Sequence, residues 1–180
     1  MLTSLLKHLD SLPAGSKILT IDGPAGAGKT TLAKQLSQSL ERGGACVRVI
    51  HMDDLYNGWG DALTQSLTAS LIKITDGWSS GRISYKVYDW EENNFTHVRE
   101  FESPDFLILE GVGSGQSAIR ERIACSIWIE MDPHLAIARV ITRDGEKVRP
   151  FLEQWLIDQS EHFFQEKTAS AADYAIDGAP

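Results

Sequence analysis

The stretch that most constrains this chain is Gly23-Pro24-Ala25-Gly26-Ala27-Gly28-Lys29-Thr30, which satisfies the spacing G-x-x-x-x-G-K-S/T. Before it runs Lys17-Ile18-Leu19-Thr20-Ile21-Asp22, an apolar, β-branched segment that reads as a buried strand. After it, Leu32, Leu36 and Leu40 recur four apart, the apolar face of a helix. Strand, glycine loop and helix in that order make a phosphate-binding P-loop. Glycines let the backbone turn tightly, so successive N–H groups point inward at phosphate oxygens. The positive end of the following helix dipole adds to that field. Gly23, Ala25, Gly26, Ala27, Gly28, Lys29, Thr30 and Thr31 are therefore the candidate nucleotide contacts. Lys29 is expected to reach the β- and γ-phosphates of ATP, and the Thr30 hydroxyl to ligate Mg²⁺. A chance match of these letters in a chain this long has odds well under ~5% at average composition.

The 180 residues suit a single domain spanning 1–180 with a substantial core. A formal net charge of -8 argues against a general nucleic-acid-binding surface, so phosphate must be held by locally placed cations. No apolar run approaches the ~18 residues of a membrane span, so no membrane partner is expected. The first ten residues lack the apolar stretch and small-residue cleavage site of a secretory leader. Cys46 and Cys125 fall in apolar, strand-like segments and are expected to be small buried hydrophobes in a reducing cytoplasm.

Along the chain, residues 1–12 read as an amphipathic helix ended by Pro13-Ala14-Gly15-Ser16. The P-loop helix ends near Gly43-Gly44, and residues 45–50 read as a second strand. A βαβ unit of this length implies a parallel sheet with right-handed crossovers. A helix over 61–76 and a less regular stretch over 77–102 come next. Strands over 106–109, 126–131 and 173–176 follow, with a short helix over 117–123. A helix begins at Pro133, and a long one covers about 151–167. In parallel sheets ligands sit beyond the carboxyl ends of the strands, so the residues just after each strand carry the functional information.

Glu110 closes the third apolar strand, where P-loop proteins place a metal-orienting carboxylate, although a strand-end acid facing solvent is the plainer alternative. Asp53 and Asp54 follow the second strand, near the γ-phosphate. A carboxylate there can take the proton of an attacking hydroxyl and hold it in line. One is expected to be catalytic and one to cap the next turn; Asp53 is the choice for the base. Residues 51–105, the expected acceptor-binding segment, hold ten acids against four strong bases. A phosphorylated acceptor would want arginine forks and needs no base. A neutral hydroxyl wants a carboxylate and tolerates acidic surroundings. Aromatic residues in the same segment could line a pocket, with core packing the commoner role for any one of them. Arg139 and Arg143 share a helical face, and with Arg149 they bracket a break at about 143–150, a candidate lid that could close on ATP.

Taken together these residues resemble the uridine kinase-like branch of the P-loop nucleoside and nucleotide kinases. The specific matches are Asp53-Asp54-Leu55-Tyr56, Leu109-Glu110-Gly111, Val87-Tyr88-Asp89-Trp90, Arg139-x-x-x-Arg143-Asp144 and Ala172-Asp173-Tyr174-Ala175-Ile176. The resemblance implies a three-layer α/β sandwich with a five-stranded parallel sheet in order 2-3-1-4-5, flanked by helices. It implies a Mg·ATP-dependent phosphotransferase acting on a small-molecule hydroxyl. Asp53 would be the base, with Tyr56, Tyr88 and Asp89 near the acceptor, and Arg139 and Arg143 on ligand or phosphates. Lys86 and Asn93-Asn94 depart from the family pattern around the Tyr-Asp pair, so the acceptor stays open between a nucleoside and another small alcohol. The rival readings are a nucleoside monophosphate kinase and a nucleotide-dependent switch acting on a protein partner.

Overall fold

The computed structural model describes residues 2–15 and 17–178; Met1 and Ser16, at the two ends of the expected amino-terminal helix and turn, lie outside them. Helices are α1 (Leu2–Ser11), α2 (Lys29–Arg42), α3 (Gln65–Ser79), α4 (Pro133–Asp144), α5 (Arg149–Glu166) and α6 (Thr168–Ala171). Strands are β1 (Lys17–Asp22), β2 (Val47–His51), β3 (Arg82–Asp89), β4 (Asn94–Glu102), β5 (Phe106–Glu110), β6 (Cys125–Glu130) and β7 (Tyr174–Asp177). Five of them form one sheet in the order β2-β5-β1-β6-β7, and every pair is parallel. Counted among that sheet's members alone, this is the expected order 2-3-1-4-5.

The central strands are buried on both faces, which is why they read as continuous apolar runs. On β1 and β5, Leu19, Ile21 and Ile108 pack into one core with Leu32 and Leu36 of α2 and Leu5 and Leu9 of α1. Ile18, Leu107 and Leu109 point the other way, into a second core with Leu67, Leu71 and Ile74 of α3. The period-two alternation thus builds two helical layers on one sheet. Among the described residues no helix is long and apolar enough to cross a membrane.

Three expectations need correction. The stretch over 77–102 is not irregular: β3 and β4 form an antiparallel hairpin that packs on α3. Ile83, Tyr85 and Val87 face inward from β3, whereas most of β4 is exposed, so β4 carries no apolar signature. The helix expected from Asp61 begins at Gln65, because Thr64 is its N-cap and accepts from the Ser66 amide at 3.2 Å. Cys46 is exposed just ahead of β2, while Cys125 is buried and its thiol is pushed up to about 12 by burial.

Candidate active site

The site assembles where β1, β2 and β5 end side by side. The glycine loop leaves β1 and feeds α2, with Gly23, Gly26 and Gly28 all at positive φ. Gly26 sits at φ 82, and a side chain there would overlap the Ala136 carbonyl of α4. A glycine is required by both conformation and space. Lys29 is buried, and its amine donates to the carbonyls of Gly23 and Pro24, each at 2.8 Å. Burial lowers its pKa, opposed by the charges of Asp22, Glu110 and Asp53. The hydroxyl of Thr30 donates to Glu110 at 3.0 Å. Glu110 is also hydrogen-bonded to His51, its register partner on β2, and that bond raises the His51 pKa.

Asp53 lies in a 3₁₀ turn, Met52–Asp54, immediately after β2. Solvent reaches its side chain, yet the carboxyl is hemmed in by protein at the base of the site. Its pKa is raised by that crowding first and by the Glu110 charge second, and is held down by Lys29 and Arg143. Asp54 instead pairs with Arg99 of β4 at 2.7 Å, which ties the turn to the hairpin. Arg143, at the end of α4, forms a two-pronged pair with Asp144, with both contacts at 2.7 Å. Its charge is also felt by Asp53, Glu110 and Lys29. Arg139 is exposed one turn earlier, and Arg149 pairs with Glu146 at 2.6 Å across the 3₁₀ turn that separates α4 from α5.

The other expected acceptor residues are committed locally. The Tyr56 hydroxyl is buried and donates to the Val112 carbonyl at 2.8 Å. Tyr88 is buried against Trp90 and Phe95. Asp89 accepts the amides of Glu91 and Glu92 at 2.9 and 3.1 Å and so closes the hairpin turn. The hairpin does reach the site through Trp90, whose indole N–H donates to the Asp53 carbonyl at 3.0 Å.

Three residues that sequence reasoning passed over hold the site together. Asp22 is 2% exposed and accepts the amides of Gly23, Gly113 and Gly115 at 2.8, 3.1 and 2.9 Å. Burial raises its pKa, whereas the Gly115 amide, Lys29 and the Gly23 amide favour the ionised form. It ends a buried strand just as Glu110 does, and that signal could have found it. Gln159 of α5 is buried and accepts the Ala25 amide at 3.1 Å, joining that helix to the glycine loop. His162, one turn on, is buried beside it. Their spacing with Leu152 and Trp155 marks one helical face.

The donor set fits magnesium. A hydroxyl and a carboxylate converge, a second carboxylate stands near enough to be perturbed by the first, and all three groups are hard oxygen donors. Among the described residues there is no group of three or more His, Cys, Asp or Glu placed to cage a metal, and magnesium bound largely by phosphates and water needs none.

A family profile described as an AAA domain (AAA_18) matches residues 19–162. The uridine kinase of Leuconostoc citreum is 24% identical over 182 aligned positions, covering 88% of this chain and 86% of its own. A thymidylate kinase of Xanthomonas oryzae pv. oryzae is 34% identical over 112 residues, covering 62% of this chain and 42% of its own. Among solved structures, a possible uridine kinase from Bacillus stearothermophilus matches with a TM-score of 0.74 at 24% identity, covering 98% of this chain and 97% of its own. The D-glycerate 3-kinase from Cryptococcus neoformans matches at 0.58 and 16%, covering 92% and 85%. With its glycine loop, sheet order and strand-end acids, the chain belongs to the AAA domain family (AAA_18) and has the fold of the uridine kinase-like P-loop kinases.

Proposed function

We propose that this protein is a Mg·ATP-dependent kinase that phosphorylates the hydroxyl of a small molecule, with a nucleoside as the acceptor. One observation carries the reading. Lys29, Asp53, Glu110 and Arg143 lie within electrostatic reach of one another at the mouth of the glycine loop. The loop amides and Lys29 hold the triphosphate. Thr30 and Glu110 would hold Mg²⁺, which when bound neutralises charge on the transferred phosphoryl group. Asp53 accepts the proton of the acceptor hydroxyl as its oxygen bonds to the γ-phosphorus. The bond from that phosphorus to the bridging oxygen breaks, and ADP leaves. Arg143, with Arg139 one turn behind it, stabilises the charge that develops.

The acceptor assignment is supported by likeness to uridine kinase and by the ten acids against four bases in residues 51–105, which disfavour a phosphorylated acceptor. A cytoplasmic setting and the absence of nucleic-acid partners belong to the same reading. The test is ADP release across a panel of nucleosides, nucleotides and small alcohols. Asp53→Asn is expected to lower turnover about 10³-fold while ATP affinity holds. Lost ATP affinity at an unchanged rate removes Asp53 as the base, and ADP release indifferent to every acceptor removes the kinase reading.

A further inference from the structure

A cleft of about 210 Å³ opens between α5 and the segment leading into α3. Its walls include Trp59 and Leu63 on one side and Trp155, Asp158, Glu161 and His162 on the other. The volume corresponds to roughly seven water molecules, room for one ring or one short substituted chain. Two relayed contacts connect the cleft to the reaction centre. Trp59 packs on Trp90 with ring centroids 5.4 Å apart, and Trp90 is hydrogen-bonded to the backbone of Asp53. Gln159, next to Asp158, holds the Ala25 amide of the glycine loop.

The chemistry of the lining is one-sided. Two indole rings stand with two carboxylates, and no lysine or arginine is among the residues that line the cleft. His162 is 8% exposed, and its Nε2 has no hydrogen-bond partner among the described residues. Burial lowers the His162 pKa, so it supplies no lasting positive charge. A phosphate or carboxylate entering here would meet like charge with nothing to offset it. A group that donates N–H bonds would find carboxylate acceptors and indole faces, the surroundings that favour amines and ammonium ions.

We propose that this cleft recognises the acceptor, and that it selects molecules bearing an amino or ammonium group remote from the reacting hydroxyl over their oxo counterparts and over phosphorylated forms. The proposal rests on the kinase reading for its link to turnover, but binding to the cleft can be read without it. The experiment uses the full chain with paired probes, cytidine against uridine and adenosine against inosine, in which an exocyclic amine is exchanged for an oxo group and the adjacent ring nitrogen gains a single N–H. Choline serves as an aliphatic ammonium arm, and uridine monophosphate as the anionic control. Calorimetry reads binding in the presence of a non-hydrolysable ATP analogue, and ADP release reads turnover. The amino member of a pair is expected to bind and turn over at least about tenfold better. The ratio should fall towards one in the double variant Asp158→Asn, Glu161→Gln, whose folding is checked by thermal melting.

An amine preference in binding without turnover keeps the cleft and removes the kinase reading. Turnover with no amine preference keeps the kinase and overturns the cleft's selectivity. A preference untouched by the double variant overturns the assignment to these carboxylates. Absence of both binding and turnover overturns the selectivity and the kinase reading together.

Discussion

Replacing Asp22 by asparagine probes the joint between the glycine loop and the loop after β5. One carboxylate oxygen accepts from Gly23 and Gly113 and the other from Gly115, so three amide donors converge on one buried side chain. Three donors suit an ionised, acceptor-only group; a proton on it would be turned against an amide N–H. Asparagine can keep two of these bonds, but its amide nitrogen must then face a third donor. Losing one charge-assisted bond and leaving a buried N–H without an acceptor costs about 2 kcal/mol, within the usual ~1.5–3 for such groups. In a domain of this size that lowers Tm by about 4–8 °C. Alanine would orphan all three amides, enough to threaten a fold whose whole stability is ~5–15 kcal/mol, so asparagine is the informative change. Urea denaturation at neutral pH, followed by tryptophan fluorescence, gives the free-energy difference. A loss below about 0.5 kcal/mol would mean that Asp22 carries a proton in the folded protein, and the account of the joint would fall.

Gly26→Ala is expected to reduce ATP affinity at least about tenfold and to cost more than about 1 kcal/mol, because positive φ and the Ala136 carbonyl both exclude a side chain. Wild-type affinity by calorimetry would refute this. Trp155→Ala removes a ring that touches Tyr56 and Trp59, each with centroids 5.6 Å apart, and should cost about 3–5 kcal/mol in denaturant melts. His162 has its pKa lowered by burial, so the folded protein resists protonating it while the unfolded chain does not. Its contribution is intact above the ordinary value of 6.5 and is lost as pH falls below it. Between pH 7 and pH 5.5 the stability lost should therefore be smaller in His162→Gln, by up to about 1.4 kcal/mol, as read by urea denaturation at the two pH values.

Much of the architecture was legible because its signals are local. The P-loop is eight consecutive residues with a strand before and a helix after, and the central sheet strands are buried on both faces and read as unbroken apolar runs. Glu110 was singled out by its place at a strand end, and in the structure it accepts from Thr30. Asp22 occupies the matching place on β1 and was overlooked beside the glycine motif. The hairpin was illegible because most of β4 faces solvent, which leaves only half the alternation that a strand pair normally displays. The buried face of α5 was hidden by polar residues: Gln159 and His162 stand where an apolar stripe would continue, and nothing local says what they touch. The arginines near the break were visible as a cluster, but their pairing with Asp144 and Glu146 depends on side-chain geometry that spacing does not encode.

The placement of β5 between β1 and β2 has a consequence for how such enzymes diversify. Neighbouring strands stand about 4.8 Å apart, so the segment bearing Asp53 departs roughly 10 Å from the one bearing the glycine loop. That gauge is set by backbone hydrogen bonds in the middle of the sheet and is indifferent to what lies above it. The β3–β4 hairpin is inserted between β2 and β5 and joins neither. Its solvent face can be reshaped without altering that spacing, so long as Trp90 and Arg99 keep their contacts with the turn after β2.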